Sequence, residues 1–243
     1  MYKRQEIELP EGMSYETGDH LSVLAVNSRR AVERMLYMLR RPGDAIVTLS
    51  TTSTAGAPVP INVPISDRDL LRRYIDLQAP ASRLALAAII ERAGDKAPEE
   101  LRLAAVADDA AFHDTITANR RSISDLLEDC GRPPFTLGEL LEFAKPLRVR
   151  NYSISSSPLA DAQRLSITVG EVSGPARSGH GTYHGVCSTH LIHLEGGDLV
   201  PVAVSSIDSG FRVPEDSTVP MIMVGAGTAR LNATWARRSD QRC

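Results

Sequence analysis

The sequence predicts a mixed α and β protein in which a β-domain is split by a helical insertion. Three observations predict it. Short strand-like runs bounded by Gly, Pro and Asp lie towards both ends of the chain. Between Ser66 and about Ala144 the pattern is helical almost throughout. A last apolar run, residues 219–224, leads into Gly225-Ala226-Gly227-Thr228, the opening of an α/β unit.

Taken in order, residues 6–9 read as a strand. Gly18-Asp19 marks a turn, and residues 20–26 form the next strand. Ser28 caps a helix whose Val32, Met35, Leu36 and Leu39 share one face, and Pro42-Gly43-Asp44 ends it. Residues 45–51 are β-like and residues 53–64 loop-rich. In the helical block, Ser66 with Asp69, Ser122 with Asp125 and Thr136 with Glu139 have the spacing of capping boxes. Pro133-Pro134 breaks the helical series. After Pro146, residues 150–156, 164–172 and 199–205 read as strands, and residues 174–181 as a flexible Gly/Ser-rich loop.

Composition narrows the function. The chain has 243 residues, 42% of them apolar, enough for a sizeable core. A net charge of −3 gives no basic footprint for nucleic acid. Cys130, Cys187 and Cys243 lie far apart, with neither a zinc spacing nor a disulfide framework, so a reducing cytoplasm is the expected compartment. No apolar run approaches the roughly 18 residues of a membrane helix. His180, His184, His190 and His193 lie near one another without a metal-ligand spacing and read as loop and helix surface; no metal is expected.

Residues 150–158 read Arg-Asn-Tyr-Ser-Ile-Ser-Ser-Ser-Pro. An arginine, an aromatic and a hydroxyl at these offsets on a β-type run fit a flavin. The Arg150 fork suits a pyrophosphate, the Tyr152 ring an isoalloxazine, and the Ser153 hydroxyl the ring atom that receives a hydride. An ordinary half-exposed strand has the same alternation. Gly185-Val186-Cys187-Ser188 opens a short helix, whose free N–H groups suit phosphate; a plain capped helix after a turn is the other reading. Cys187 there reads as a small filler.

Together these elements resemble the FAD-binding module of the diflavin reductases, such as NADPH–cytochrome reductase, the reductase half of self-sufficient fatty-acid monooxygenases and sulfite reductase flavoprotein. The resemblance rests on Gly18-Asp19-His20, on residues 150–157, on Gly185-Val186-Cys187-Ser188 and on Val224-Gly225-Ala226-Gly227-Thr228. It implies an antiparallel FAD-binding barrel with an all-helical connecting insertion and only the first strand of an α/β NADP-binding domain. Residues 6–52 and 146–217 would form the barrel and residues 53–145 the insertion. Residues 218–243 would be a truncated start of the NADP-binding domain with an aberrant tail.

The resemblance also implies roles. Arg150 and Ser153 would hold the FAD pyrophosphate and flavin, with Ser153 at the reacting centre. Tyr152, beside Asn151, would pack on the isoalloxazine. Thr168, Val169 and Gly170 would line the flavin and ribityl region, while Gly185, Val186, Cys187 and Ser188 would cradle the diphosphate. Arg120 would reach FAD from the insertion, and Thr228 would contact NADPH. The implied activity takes a hydride from NADPH onto FAD, then passes electrons to FMN and a heme acceptor. A flavodoxin-like FMN domain and a heme monooxygenase in the same parent chain are the implied partners.

Two departures stand against the family pattern. The family strand upstream of Glu6 is absent from the reading, and residues 1–5 look foreign to the strand that follows. After Thr228 the expected Gly-x-Ala-Pro-Phe gives way to Ala229-Arg230-Leu231, so the reading is of a fragment. The alternative is a catalytically silent module that holds flavin passively or binds nothing.

Overall fold

The computed structural model describes residues 1–50 and 59–206, with the single positions 216, 218, 220 and 222. The strand expected at 219–224 lies outside the described residues apart from 220 and 222. Also outside them are the turn Gly225-Ala226-Gly227-Thr228, the tail from Ala229 with Cys243, and residues 53–58 of the 53–64 loop. The chain divides into two compact units. The first comprises Met1–Ala25, Val149–Val172 and the chain from Cys187; the second comprises Val26–Arg148 and Ser173–Val186.

The first unit is built on small antiparallel sheets. Strand β1, Tyr2–Glu8, pairs with β6, Arg164–Gly170, from Tyr2 opposite Gly170 to Glu8 opposite Arg164. Strand β2, His20–Val23, lies between β5, Arg150–Ser153, and β9, Val202–Ser205. An isolated bridge from Ile154 to Ile167 and the bond from Ser155 N to Ser166 O (2.7 Å) carry the β5 segment onto β6. No closed barrel is present among the described residues. Leu21, Val23, Leu165, Ile167 and Val169 are fully buried at the centre of this unit.

The strand therefore starts at Tyr2, not Glu6, and residues 2–5 belong to it. Sequence reading missed this because two inward positions of β1, Lys3 and Gln5, are polar. Lys3 Nζ donates to Ile192 O (2.8 Å) and Leu194 O (3.0 Å), and Gln5 Nε2 donates to Leu191 O. These carbonyls close helix α8, Val186–His193, and a helix end leaves its last carbonyls without intrahelical partners. Lys3 and Gln5 share one face of β1 by period-two alternation, so polarity there supports packing.

The second unit is mainly helical. Helix α1, Arg29–Leu39, starts where Ser28 Oγ accepts from Ala31 N (3.3 Å) and buries the expected Val32, Met35, Leu36 and Leu39, with Met38. It ends at Arg40, whose φ of 54° is left-handed. Strands β3, Ile46–Thr48, and β4, Pro64–Ser66, form a short ladder. Helices α2, Asp67–Arg73, α3, Arg83–Ala93, α4, Glu99–Val106, α5, Asp109–Phe112, α6, Ile123–Asp129, and α7, Leu137–Phe143, follow. Leu70, Leu71, Leu86, Ile89, Leu101, Ile116, Leu126 and Leu127 fill their common core.

Ser122–Asp125 and Thr136–Glu139 form complete capping boxes. At α2 only half of the box forms: Ser66 Oγ accepts from Asp69 N (3.1 Å). Asp67, fully buried at the start of α2, is held by the Arg41 fork at 2.5 and 3.2 Å, which compensates a charge that would be costly alone.

Of the loop expected at 174–181, residues 174 and 175 end a strand and residues 176–181 form the connection. They bridge β7, Ser173–Pro175, and β8, Thr182–His184, in an antiparallel hairpin. Gly179 and Gly181, with φ of 83° and 71°, supply left-handed backbone at its tip. The glycines read as flexible in sequence are what the turn requires.

Candidate functional site

In the first unit the expected residues of β5 divide between its two faces. Arg150 lies opposite Val23 and Tyr152 opposite Leu21. Directly opposed residues of an antiparallel pair share a face, so Arg150 and Tyr152 stand together on the side of the buried Leu21 and Val23. The Arg150 charge accordingly acts on the Tyr152 phenol. Asn151 and Ser153 occupy the other face. Asn151 Oδ1 accepts from Ser22 Oγ (2.8 Å), and Ser22 Oγ also meets Ser205 Oγ (2.8 Å), so Asn151 is tied into the β5–β2–β9 sheet. Ser153 is exposed, opposite His20.

The Tyr152 face also receives Cys187, buried in the first turn of α8. The phenol and the thiol lie close enough to act on one another. Burial pushes the Tyr152 phenol far above the ordinary tyrosine value; the thiol contact adds to the rise and Arg150 opposes it. Burial likewise raises the Cys187 thiol, against the pull of Tyr152 and Arg150. Both groups therefore stay neutral near neutral pH. The next residue, Ser188, is buried, and its Oγ accepts from Val172 N (3.2 Å) just beyond β6. On β6, Thr168, Val169 and Gly170 pair with Arg4, Lys3 and Tyr2; Val169 is fully buried and Thr168 half-buried.

In the second unit Arg120 has a conspicuous backbone. Residues His113–Thr117 form one π-type turn, closed by Ala118 N to His113 O (2.8 Å). Such turns are rare and concentrate at functional sites. Arg120 follows with a left-handed φ of 53°, uncommon for a residue bearing a Cβ. Its guanidinium sits 4.7 Å over the Tyr183 ring, and its Nη2 donates to the Tyr183 hydroxyl (3.0 Å). A cation over an aromatic face contributes about 0.5–1 kcal/mol at an exposed site. Arg177 Nη1 reaches Ala118 O (3.4 Å) from the same hairpin. Gly185, buried, and Val186 close this unit and begin the helix that carries Cys187.

Sequence reading passed over Tyr183 and His180. The available signal was that aromatics make up only 5% of the chain and that Tyr183 follows two closely spaced glycines. His180 is not loose surface: its Nε2–H donates to Asp129 Oδ1 (2.9 Å).

In the first unit an aromatic ring and an arginine share one strand face, and Cys187 of the first turn of a helix lies against that ring, groups that suit a dinucleotide with a planar ring. The comparisons agree with this class. Residues 5–190 match the FAD binding domain family. The chain belongs to that family.

Among relatives, bifunctional cytochrome P450/NADPH–P450 reductase 2 of Bacillus subtilis is 37% identical over 223 residues, covering 92% of this chain and 21% of that protein. The reductase 1 of the same organism is 38% identical over 225 residues, with the same coverages. The bifunctional enzyme of Fusarium oxysporum is 35% identical over 227 residues, covering 93% of this chain and 21% of that protein. The chain thus spans about a fifth of the length of the curated relatives it matches. Among the described residues no helix is long and apolar enough to cross a membrane.

Proposed function

We propose that this chain is the FAD-holding module of an NADPH-dependent diflavin oxidoreductase. The single observation that carries the reading is the Arg150–Tyr152 face of β5, with Cys187 of the first turn of α8 beside the Tyr152 phenol. It holds an aromatic ring and a guanidinium on one strand at the start of a helix, the combination that a flavin dinucleotide uses.

When bound, FAD supplies two-electron acceptance and one-electron release; the protein supplies position and electrostatics. In this reading Tyr152 packs on the isoalloxazine and Arg150 binds the pyrophosphate. Ser153 offers its hydroxyl to the reacting edge of the ring, and Asn151 supports the strand through Ser22. Thr168, Val169 and Gly170 back the ribityl region. Gly185, Val186, Cys187 and Ser188 present the helix start to the diphosphate, and Arg120 adds a second cation. Thr228 is assigned to NADPH.

The two small sheets of the first unit belong to an antiparallel FAD-binding barrel, and the helices of the second to its connecting insertion. In the assembled enzyme electrons pass from NADPH through FAD to FMN in a flavodoxin-like domain and then to a heme acceptor. Support for the heme partner comes from relatives whose names join a cytochrome P450 to an NADPH–P450 reductase.

The test is to load the purified protein with flavin, release it by heat and separate FAD from FMN chromatographically. FAD is expected, because two phosphate-binding elements suit a diphosphate. FMN as the main product, or no retained flavin, would overturn the reading.

A further inference from the structure

We propose that His180 is a positioning residue: it fastens the β7–β8 hairpin to the end of α6 and so keeps Tyr183 against Arg120, where the bound dinucleotide is gripped. The ligand half of this inference rests on the FAD reading above.

The hairpin cannot hold itself. Its ladder has three pairs, Ser173 with His184, Gly174 with Tyr183 and Pro175 with Thr182. Two-stranded hairpins are marginal in water without an apolar face to pack. Its tip offers Ser178, Gly179 and Gly181, which bring almost no apolar side chain. Outside contacts must therefore fix it, and they converge on the segment from the π-type turn to the end of α6. Arg177 reaches Ala118 O, Tyr183 takes Arg120, and His180 takes Asp129.

The His180 contact is the best built of the three. The ring is mostly covered, its side chain 19% exposed. Nε2 is 2.9 Å from Asp129 Oδ1, and Nδ1 is 3.6 Å from Glu128 Oε2. Glu128 is in turn oriented by Arg34 of α1, at 2.6 and 3.2 Å, and Arg34 also binds Asp125 (2.8 Å). Arg30 of α1 comes up against the tip, its Nη2 3.6 Å from where a side chain on Gly181 would begin. Two carboxylates thus face His180 from α6, in a frame fixed by α1. Arg120 itself stands on a left-handed backbone, and its guanidinium rests on Tyr183 of the hairpin. What remains adjustable is the hairpin, and His180 sets it.

The experiment compares wild type with His180→Ala and His180→Gln, since a glutamine amide can replace the Nε2–H donor. Amide exchange is followed without flavin at Ala176, which donates to Gly181 O (2.8 Å) across the tip. FAD affinity is read separately by fluorescence titration. The expected result is faster Ala176 exchange and roughly tenfold weaker FAD binding in His180→Ala. Both should be largely restored in His180→Gln, which a generally damaged fold would not allow. Wild-type exchange in His180→Ala overturns the inference, whatever the flavin does. Faster exchange with unchanged FAD affinity overturns its ligand half. A wild type that takes up no FAD overturns the flavin reading and that half with it, while the exchange data alone decide whether His180 positions the hairpin.

Discussion

The Tyr152 hydroxyl of strand β5 and the Cys187 thiol of the first turn of helix α8 act on one another. The contact places a sulfur against one end of the aromatic ring. It also gives Cys187, which sequence reading treats as filler, a definite task. Replacing Cys187 by Ala removes the neighbour of a half-buried phenol, a loss of about 1 kcal/mol or roughly fivefold in affinity if ring placement matters for flavin. Cys187→Ser keeps a hydrogen-bonding group and should lose less. Fluorescence titration with FAD measures both; equal affinity of Cys187→Ala and wild type would contradict the assignment.

Arg150 and Arg148 make a paired test of the strand face. Arg150 begins the β5 ladder opposite Val23, on the face of Tyr152, whereas Arg148 precedes the ladder. Loss of a charged hydrogen bond costs roughly 1.5–3 kcal/mol, about tenfold to a hundredfold in affinity. Arg150→Ala is expected to lose bound flavin on gel filtration while Arg148→Ala keeps most of it. Equal loss in both variants would remove Arg150 from the site.

Thiol chemistry follows from burial. Cys130, fully buried at the end of α6, has its thiol pushed up to about 11 by burial, with Asp129 adding to the rise. The thiol of Cys187 is raised by burial as well. Near neutral pH, well under roughly 1% of Cys130 is thiolate. Iodoacetamide should leave both unlabelled in the native protein and label both in urea, as peptide mapping would show. Prompt native labelling of Cys187 would mean that α8 opens readily.

How much of this was legible in the sequence depends on which interaction shapes each element. Helix α1 was, because its core face repeats at helical spacing and Ser28 caps it. The capping boxes at Ser122 and Thr136 were, because they are local patterns of four residues. The Arg150–Tyr152 face was, because period-two alternation alone puts the two together. Contacts between distant segments were not. Lys3 and Gln5 read as foreign because their partners are carbonyls some 190 residues away, on a helix end that no pattern near residue 3 announces. His180 read as surface because Asp129 lies far along the chain. The hairpin read as a loop because its glycines mark both flexibility and left-handed turns, and only the fold distinguishes them.

The last prediction concerns acid stability of the second unit. Glu139 closes the capping box of α7: its Oε2 accepts from Thr136 N (2.8 Å) and Thr136 Oγ1 (2.8 Å), and its other oxygen pairs with Arg92. The backbone N–H of Thr136 is the main cause that holds the Glu139 carboxyl below its ordinary value of 4.5; partial burial opposes it, and the Thr136 hydroxyl and Arg92 add to the lowering. A carboxyl depressed in the folded state binds its proton more readily when unfolded. Its contribution is therefore fully present above the ordinary value and is lost as pH falls through the lower, folded one. Glu139→Gln keeps an acceptor for Thr136 but cannot titrate, so its stability should fall less steeply in that window. Urea midpoints followed by helical ellipticity at about pH 6 and about pH 3.5 provide the measurement, with the difference between the two conditions compared for wild type and Glu139→Gln. Wild type should show the larger drop on acidification. Equal drops would mean that the carboxylate of this box carries no charge-dependent share of the stability.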